Sequence, residues 1–595
     1  MPLGPEGPCR RPAVRRGVAV ALVISSLAGC PEGDPPDDDE AGAGTSGSTA
    51  SAEAIAAEVR APEGVAVVVE GGSGAELAAA TSETLFVSAP VVVLAAEDDP
   101  AAHVAAAPAA VGLGVPLLLT PGPAAEGEDD DDDGAGGDDA AGPVADELAR
   151  LAPEAVLAVG DGAAAWAEDD SPAGEVVTTP ADAEALAAAA GLPSGDATEV
   201  TGDEAVEQVA GLTEDDPTPL TLADPDEPST ETTGTDTTGA GRGELLVATA
   251  PGAALEDVAV LVGRRPDGVA AAATARAAGA HVVPAGHPDP RADPAAIEAL
   301  SGREFAHVVG VGAQFGPAER LWQRARVAAT GVELPGGGQV LFPGRRMAAL
   351  YGNPTTAALG VLGEQPLEES IARAEGLAAQ YDELVHEPVV PAFELIATVA
   401  SSAPGPDGNY ANESEVEELR PWIDAAGEAG VYVVLDIQPG RTDFLTQARR
   451  YQDLLAEPHV GLALDPEWRL GPDQVHMDQI GSIAADEVNQ VAEWLADLTL
   501  TYDLPQKLLL LHQFRTDMLR DRDRIRTDHD ELAVLVHADG FGTPGQKFET
   551  WDRLQQSPPA NIWWGWKNFV DEDRPMFTPA QTTAIEPSPM FVSYQ

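Results

Sequence analysis

The sequence predicts an α/β protein in which N-terminal parallel-sheet α/β repeat units are followed by a C-terminal (β/α)8 TIM-like barrel. Short Val and Leu runs alternate with Ala-rich stretches in the first half, which favours buried parallel strands covered by helices. Aromatic residues, Gln, Asn and His concentrate after residue 345. Strand-like segments then alternate with helical ones over roughly 250 residues, the length that such a barrel requires.

The predicted domains follow these changes in composition. Residues 1–29 form a signal segment, 30–60 an acidic tether, 62–345 the α/β region and 346–595 the barrel. Two acidic, Gly-rich or Thr-rich segments at 124–142 and 213–243 interrupt the α/β region. Such segments cannot bury enough apolar surface to order themselves, so we expect solvated loops there.

The N-terminal segment has the order of a secretory signal. A group of arginines precedes an apolar run that ends in Leu27-Ala28-Gly29-Cys30. The run is shorter than the roughly 20 residues that a transmembrane helix needs. The segment resembles the lipobox of bacterial lipoproteins, which implies cleavage before Cys30 and acylation of Cys30. The implied partner is the lipid bilayer and the implied location is the extracytoplasmic face of the cell membrane. An ordinary signal peptide with a chance cysteine remains the alternative.

Charge and cysteine content exclude several classes of function. The formal net charge of −66 disfavours nucleic acid and anionic lipid as direct partners. Cys9 would leave with the signal and Cys30 would be modified, which excludes disulfides and thiolate metal sites. A phosphate-binding glycine loop is not found in a suitable context, so we expect no nucleotide and no cofactor. The acidic, Ala-rich and Lys-poor composition is typical of a high-GC, actinobacterial genome.

The α/β region contains an internal repeat. Residues 91–96, 114–119 and 155–160 are echoed by 258–263, 280–285 and 307–312. Residues 105–120 and 144–160 resemble the cell wall-binding repeat family 2, and the resemblance extends over roughly 62–345. It implies noncovalent attachment to anionic cell-wall polymers. An acidic domain repels such polymers unless divalent cations bridge them, so a purely structural role for the repeats stays open.

The C-terminal region contains the strand number of a barrel. The predicted strands are Met347 to Asn353, Val390 to Val399, Val431 to Gln438, Val460 to Glu467, Lys507 to Gln513, Leu532 to Asp539, Ile562 to Lys567 and Met590 to Tyr594. The predicted helices are Leu367 to Leu384, Glu415 to Ala429, Asp443 to Leu455, Ile483 to Leu500, Thr516 to Asp528 and Gly545 to Gln556. The last loop is Pro-rich, so the eighth unit lacks a clear helix.

Strand alternation predicts which side chains point into the barrel. On the fourth strand Ala463, Asp465 and Glu467 share one parity and therefore one face. Further polar or aromatic residues gather at strand ends: Tyr351 and Asn353 on the first, Glu394 on the second, Asp436 and Gln438 on the third, His512 on the fifth, His537 and Asp539 on the sixth, Trp566 and Lys567 on the seventh. Barrel strands place catalytic groups at these carboxyl ends.

Carboxylates and aromatic rings together are typical of carbohydrate sites, because paired carboxylates cleave glycosidic bonds and aromatic faces stack on sugars. We predict Asp436, Asp465 and Glu467 as catalytic and the other strand-end residues as ligand-binding, with Lys567 neutralising carboxylates or lowering a carboxylate pKa. Segments 435–438 and 464–468 resemble strand ends of barrel glycoside hydrolases acting on wall or chitin-like glycans. The resemblance implies glycan hydrolysis but leaves the acid and base unassigned.

Several alternatives stay open. Asp465 with Pro466 is also typical of a strand terminus, His512 and His537 are compatible with core histidines, and the tryptophans near Trp566 with packing of the barrel floor. The protein could be a noncatalytic surface binding protein. It could also be a metal-dependent hydrolase using His512, His537 and Asp539, although no metal-binding spacing such as His-Glu-x-x-His occurs.

Overall fold

The computed structural model describes residues 54–121, 142–223, 243–250 and 252–595. The signal segment, Cys30, most of the tether and most of both acidic loops lie outside the described residues. Among the helices that are described, not one is both long and apolar enough to cross a membrane.

Two parallel sheets of four strands each form the N-terminal region. The strand order of the first sheet is Leu117–Thr120, Val91–Ala96, Ala155–Val159 and Glu175–Thr179. That of the second is His281–Ala285, Val258–Gly263, His307–Val311 and Ala66–Val69. The accompanying helices are Gly74–Leu85, Pro100–Leu113, Pro143–Leu151, Asp161–Asp170, Ala183–Ala190, Ala205–Gly211, Val269–Ala277, Pro294–Leu300 and Ala318–Ala329.

One apolar core joins the two sheets. It includes Leu94 and Leu157 of the first sheet, Val260 of the second and most of the alanines of Val269–Ala277. The hydroxyl of Thr274 on this helix donates to the carbonyl of Leu117 and accepts from its N–H, both at 3.0 Å. Small alanine side chains let these helices approach closely, which explains why this region folds with so few large residues.

Short strands lie within segments predicted to be tether and loop. Ile55–Ala56 pairs with Thr249–Ala250, and Glu58–Val59 pairs with Phe86–Ser88. Leu220–Leu222 pairs with strand 198–200. Regular secondary structure therefore begins before residue 60 and continues past residue 213. Apolar residues such as the buried Leu220 anchor these short strands to the core.

The C-terminal region is a closed barrel of parallel strands. In barrel order they are Arg346–Gly352, Val389–Ala400, Tyr432–Ile437, Val460–Leu464, Lys507–Gln513, Leu532–Ala538, Trp563–Asn568 and Phe591–Tyr594. The first strand pairs with both the second and the eighth, which closes the barrel. The sequence prediction of a TIM-like barrel is confirmed.

The two faces of each barrel strand pack differently. Tyr432, Val434 and Leu510 belong to the interior core, whereas Val433 and Leu509 pack outward against the helices. Leu341, Phe342, Met347 and Met590 belong to the same interior core and lie beside the amino ends of the strands. The amino end of the barrel is therefore filled with apolar side chains.

The helices around the barrel follow most of the predicted units. They are Leu367–Asp382, Val416–Glu428, Phe444–Arg450, Gln452–Leu455, Ala485–Thr501, Pro544–Leu554 and Pro579–Thr583. Short strands Ala411–Glu413 and Ile483–Ala484 occupy two of the loops.

The predicted helix from Thr516 to Asp528 is wrong. Two 3-10 turns, Thr516–Met518 and Arg522–Arg524, flank the strand Leu519–Arg520 instead. Asp521 is left-handed, with φ of 52°, and the buried Arg522 donates to the carbonyls of residues 554 and 556. These tertiary hydrogen bonds outweigh the local helical preference.

The N-terminal region meets the barrel through buried ion pairs. Asp530, two residues before the sixth barrel strand, accepts hydrogen bonds from Arg291 at 2.6 Å and from Arg324 at 2.6 and 2.8 Å. Arg291 also pairs with Asp289 at 2.8 Å. Because each carboxylate faces a guanidinium, the charges at this junction are compensated.

Candidate functional site

A cavity of about 670 Å³ opens at the carboxyl ends of the barrel strands. Its polar lining includes Tyr351, Gln438, Asp465, Glu467, Asp539 and Lys567. Its aromatic lining includes Trp468, Phe514, Phe541 and Phe569. The cavity therefore combines carboxylates, a lysine and aromatic rings at the end of the barrel where TIM-barrel enzymes in general carry their active sites.

The inward faces of the strands explain this distribution. On the fifth strand Leu508 and Leu510 pack in the interior core and His512 follows at the next inward position. On the third strand Tyr432 and Val434 precede Asp436 in the same way. Each strand thus begins apolar and ends polar, which concentrates ionisable groups at one end of the barrel.

His512 lies at the centre of the polar cluster. Its Nδ1 is hydrogen bonded to Oδ2 of Asp539 at 3.0 Å. Its Nε2 lies 2.7 Å from Oε1 of Glu394 and 3.8 Å from Oδ1 of Asp436. Burial disfavours the charged imidazole, but the negative charges of Glu394 and Asp539 outweigh burial and raise the pKa of His512 well above its usual value.

His537 is held beside the same carboxylate. Its Nε2 is 2.8 Å from the hydroxyl oxygen of Ser593 and 4.0 Å from Oε2 of Glu394. Burial lowers the pKa of His537 to about 3, so the ring is neutral. The strand beside it carries Gly565, where a Cβ atom would lie 2.3 Å from Nδ1 of His537. A glycine is needed there because the ring packs against the neighbouring backbone.

Lys567 connects the first, sixth and seventh strands. Its Nζ lies 3.3 Å from Oδ1 of Asp539 and 3.5 Å from the centroid of the Tyr351 ring. The Tyr351 hydroxyl donates to Oδ2 of Asp436 at 3.0 Å and accepts from the amide of Gln438 at 3.3 Å. These contacts fix the ammonium group in the wall of the cavity.

The cavity carboxyl groups have opposite pKa directions. Burial and the charge of Asp539 raise the pKa of Glu467 to about 7. Burial and the charge of Glu467 raise the pKa of Asp465 well above its usual value. Burial opposes ionisation of Asp539, but Lys567 and His512 outweigh it and lower that pKa. A proton is therefore held on the Glu467 side of the cavity and a negative charge on the Asp539 side.

Several buried atoms of the cluster have no hydrogen-bond partner within the described part of the chain. They are Oε2 of Glu394, Oδ1 of Asp436, Oδ1 of Asp465 and Nδ1 of His537. Ligand atoms of Glu394, His512 and His537 lie within 4.8 Å of one another, so these side chains could hold a metal ion. Unpaired buried polar groups are costly, which points to a bound ion or molecule.

Some predicted ligand-binding residues lie away from the cavity. Asn353 donates to the carbonyl of residue 396 at 3.1 Å and accepts from Thr355, so it shapes the turn after the first strand. Trp566 stacks on Phe577 at 5.4 Å, and its indole N–H donates to Asn568. This tryptophan packs the seventh strand against the outer layer rather than facing the cavity. Glu394 and Asp436 are fully buried next to the cavity-lining side chains.

Sequence reasoning missed several residues of the site. Ser593 is on the eighth strand, where the alternation argument applied to Phe591 would have found it. Trp468, Phe541 and Phe569 were missed too, although each comes one or two residues after a strand-end polar residue. Aromatic residues at that spacing were a usable signal.

Comparison with known proteins gives limited similarity. No family model matches the chain, and no curated protein matches it significantly. Cwp8 from Clostridium difficile is 14% identical, with a TM-score of 0.31, over 45% of this chain and 52% of that chain. Cwp6 from Clostridium difficile is 12% identical, with a TM-score of 0.29, over 68% of this chain and 63% of that chain.

This chain thus spans about half the length of Cwp8, at 52%, and 63% of Cwp6. At these identities and TM-scores the similarity carries no argument about activity. The resemblance to cell wall-binding repeats accordingly stays a prediction.

Proposed function

We propose that the chain is a cell-wall-associated surface lipoprotein whose barrel binds and hydrolyses a wall glycan. The observation that carries the proposal is that Glu467 and Asp539 line one cavity together with aromatic side chains at the carboxyl end of a closed barrel. Paired carboxyl groups beside aromatic rings are the groups that glycoside hydrolysis uses.

Glu467 is the proposed acid. With a pKa raised to about 7, a substantial fraction of this carboxyl group carries a proton near neutral pH. A protonated carboxyl group at the cavity wall donates its proton to the leaving-group oxygen as the glycosidic bond breaks. Asp465 lies two residues earlier in the same cavity wall and is fully buried, so we assign it a positioning role for Glu467.

Asp539 is the proposed second carboxylate, a residue that the sequence prediction placed among the ligand-binding groups. Lys567 at 3.3 Å and His512 at 3.0 Å hold it in a fixed orientation. In this orientation it activates water or attacks the sugar, the two roles open to the second carboxylate. Asp436, predicted as catalytic, instead accepts the Tyr351 hydroxyl and orients that ring beneath Lys567.

Aromatic side chains provide the sugar-binding surface. The side chain of Phe541 is 64% exposed, although it is a large apolar residue on the rim of the cavity. The half-buried Trp468 lines the same cavity, and the buried Phe569 forms part of its wall. Exposed aromatic faces around a polar cavity are typical of sites that stack on sugar rings.

The test is an assay of peptidoglycan hydrolysis, in which turnover is measured as the release of reducing ends from purified peptidoglycan. Glu467→Gln should lower turnover roughly 10²- to 10⁴-fold, the usual contribution of a general acid, while circular dichroism stays unchanged. Glu572→Gln is the matched control, because Glu572 also lines the cavity but is exposed. Asp436→Asn, which removes a buried charge, should reduce turnover less.

Unchanged turnover in Glu467→Gln would remove the assignment. Peptidoglycan binding by the wild type with no turnover would instead favour the noncatalytic binding protein. Both outcomes are read on the same preparation, so they separate catalysis from binding.

The lipid anchor and the wall attachment belong to the same proposal. The arrangement of both N-terminal sheets, in which the first strand of each repeat is flanked by the second and third, supports descent from one repeated unit. Cys30→Ser should abolish incorporation of labelled palmitate and release the protein from the membrane fraction. Sedimentation with isolated walls, with and without a chelator, tests attachment through divalent cations; a protein that stays in the supernatant in both would contradict it.

A further inference from the structure

We propose that Glu394, His512 and His537 bind one divalent transition-metal cation of the Zn(II) class inside the barrel. The sequence assigned no metal ligands, and the metal alternative considered there used Asp539 in place of Glu394. The proposed site uses side chains of the second, fifth and sixth strands, and it does not depend on the proposed glycan hydrolysis.

The spacing of the three side chains fits a single ion. Their ligand atoms lie within 4.8 Å of one another. Zn(II) takes nitrogen and oxygen ligands at about 2.0–2.2 Å, so two ligands of a tetrahedral ion are roughly 3–4 Å apart. Nε2 of His512 lies 2.7 Å from Glu394 and Nε2 of His537 lies 4.0 Å from it, so small side-chain rotations reach that range. Nε2 of His537 would exchange its hydrogen bond with Ser593 for the ion.

The unpartnered atoms point to an ion between the ligands. Nε2 of His512 lies 2.7 Å from Oε1 of Glu394, the distance of a charge-assisted hydrogen bond, and Oε2 of Glu394 forms no hydrogen bond within the described residues. Nδ1 of His512 donates to Asp539, so loss of the proton on Nε2 leaves a lone pair that faces the Glu394 carboxylate. A metal cation that displaces this proton would bind both atoms, because metal ligands must be deprotonated.

Asp539 supplies the partner that metal-binding histidines usually have. Its carboxylate is hydrogen bonded to the His512 nitrogen remote from Glu394, which fixes the ring orientation and raises the basicity of Nε2. Two imidazoles and one carboxylate favour Zn(II) over Mg(II) or Ca(II), which prefer oxygen ligands. The three ligands are fully buried, and a tetrahedral Zn(II) ion held by three side chains takes a water molecule in its fourth position.

The position of the site indicates what the ion does. The residues described around the cavity do not include Glu394, His512 or His537. The ion therefore lies behind the cavity wall and compensates the negative charge of Glu394 and of its buried neighbour Asp436, 3.8 Å from His512. We assign it a charge-balancing role within the barrel rather than contact with the glycan.

The test is calorimetric titration of Zn(II) into demetallated full-length mature protein. A chain with a formal net charge of −66 collects divalent cations weakly on its surface, so the titration contains excess Mg(II) to occupy such positions. We expect one tight equivalent in the wild type and its loss in Glu394→Gln and His537→Asn. Glu572→Gln, a change of the same chemistry at an exposed carboxylate, should keep it. Asp539→Asn should weaken affinity roughly 10- to 100-fold.

A second measurement, on the wild type, tests the site even if circular dichroism shows that the variants do not fold. Co(II) added to the demetallated wild type should give the intense visible absorption of a tetrahedral ion with imidazole ligands. Absence of both the tight equivalent and this absorption would overturn the site and leave an ion pair of Glu394 with a protonated His512. The same holds if Glu394→Gln folds and keeps the equivalent. Neither readout involves a glycan, so failure here is distinct from failure of the proposed hydrolysis.

Discussion

The N-terminal sheets and the barrel are both built from buried parallel strands, yet they differ in what the strands carry at their ends. Val91–Ala96 of the first sheet is apolar and buried at every position. The fifth barrel strand, Lys507–Gln513, is equally buried but contains His512. An open sheet spreads its strand ends along an edge, whereas a closed barrel converges them on one cavity.

The two regions also compensate buried polar groups differently. In the N-terminal region Thr274 satisfies both backbone groups of Leu117. In the barrel Oε2 of Glu394 has no hydrogen-bond partner among the described residues. Groups left unsatisfied in an otherwise well-packed protein concentrate at functional sites, where stability is lost in exchange for chemistry.

The largest expected loss of stability comes from removing a cation that neutralises a buried carboxylate of the barrel. Lys547 pairs with Asp573 at 2.9 Å, and both side chains are almost fully buried. Lys547→Met should lower the free energy of unfolding by about 3–5 kcal/mol, because Asp573 keeps a charge with no cation beside it. Urea denaturation measures this loss.

The control for that change is an exposed pair on the same helix. Arg553 contacts Glu549 at 2.6 Å, and both side chains are about half exposed or more, at 48% and 69%. Arg553→Met should cost no more than about 1 kcal/mol. Equal losses in the two variants would contradict the view that the barrel depends on compensated buried charge.

A substitution that creates a cavity in the first sheet should lower the stability of the protein without changing the candidate site of the barrel. Leu94 is fully buried in the N-terminal core, so Leu94→Ala should cost about 2–5 kcal/mol of unfolding free energy. Leu246→Ala is the control, because Leu246 is 80% exposed and should change stability by less than about 0.5 kcal/mol. Loss of peptidoglycan turnover by folded Leu94→Ala protein would show that the two regions are coupled.

A further effect on stability is the pH dependence that Glu467 contributes. Its pKa rises from 4.5 to about 7 on folding, so the folded chain binds more protons between these values. Its contribution is therefore fully present below pH 4.5 and is lost as pH rises through about 7. The groups that face it are Asp436, Asp465, His512, Asp539 and Lys567.

Glu467→Gln removes this proton uptake while keeping the shape of the side chain. The variant should gain stability relative to the wild type above pH 7 and should not gain it at pH 4.5, as measured by urea denaturation at both values. An identical difference at both pH values would show that folding does not raise the pKa of Glu467.

Much of the barrel was predictable because local pattern and tertiary environment agree there. Alternation placed Asp465 and Glu467 on the inward face of the fourth strand, and both line the cavity. The helix expected at 516–528 failed because Arg522 finds carbonyl partners 32 and 34 residues away, which local periodicity does not encode. Trp566 packs in the outer layer, the alternative left open for it, because a tryptophan at a strand end suits that layer as well as a sugar site.

The sequence by itself determined the layered α/β architecture and the faces of the barrel strands, because hydrophobic periodicity follows directly from backbone geometry. It also determined that ionisable groups gather at strand ends. Only the tertiary structure decided that Glu394 stands beside His512 and His537, that Asp539 supports His512, and that Asn353 serves a turn. Such contacts join residues far apart in the chain, and their distances depend on how the whole barrel closes.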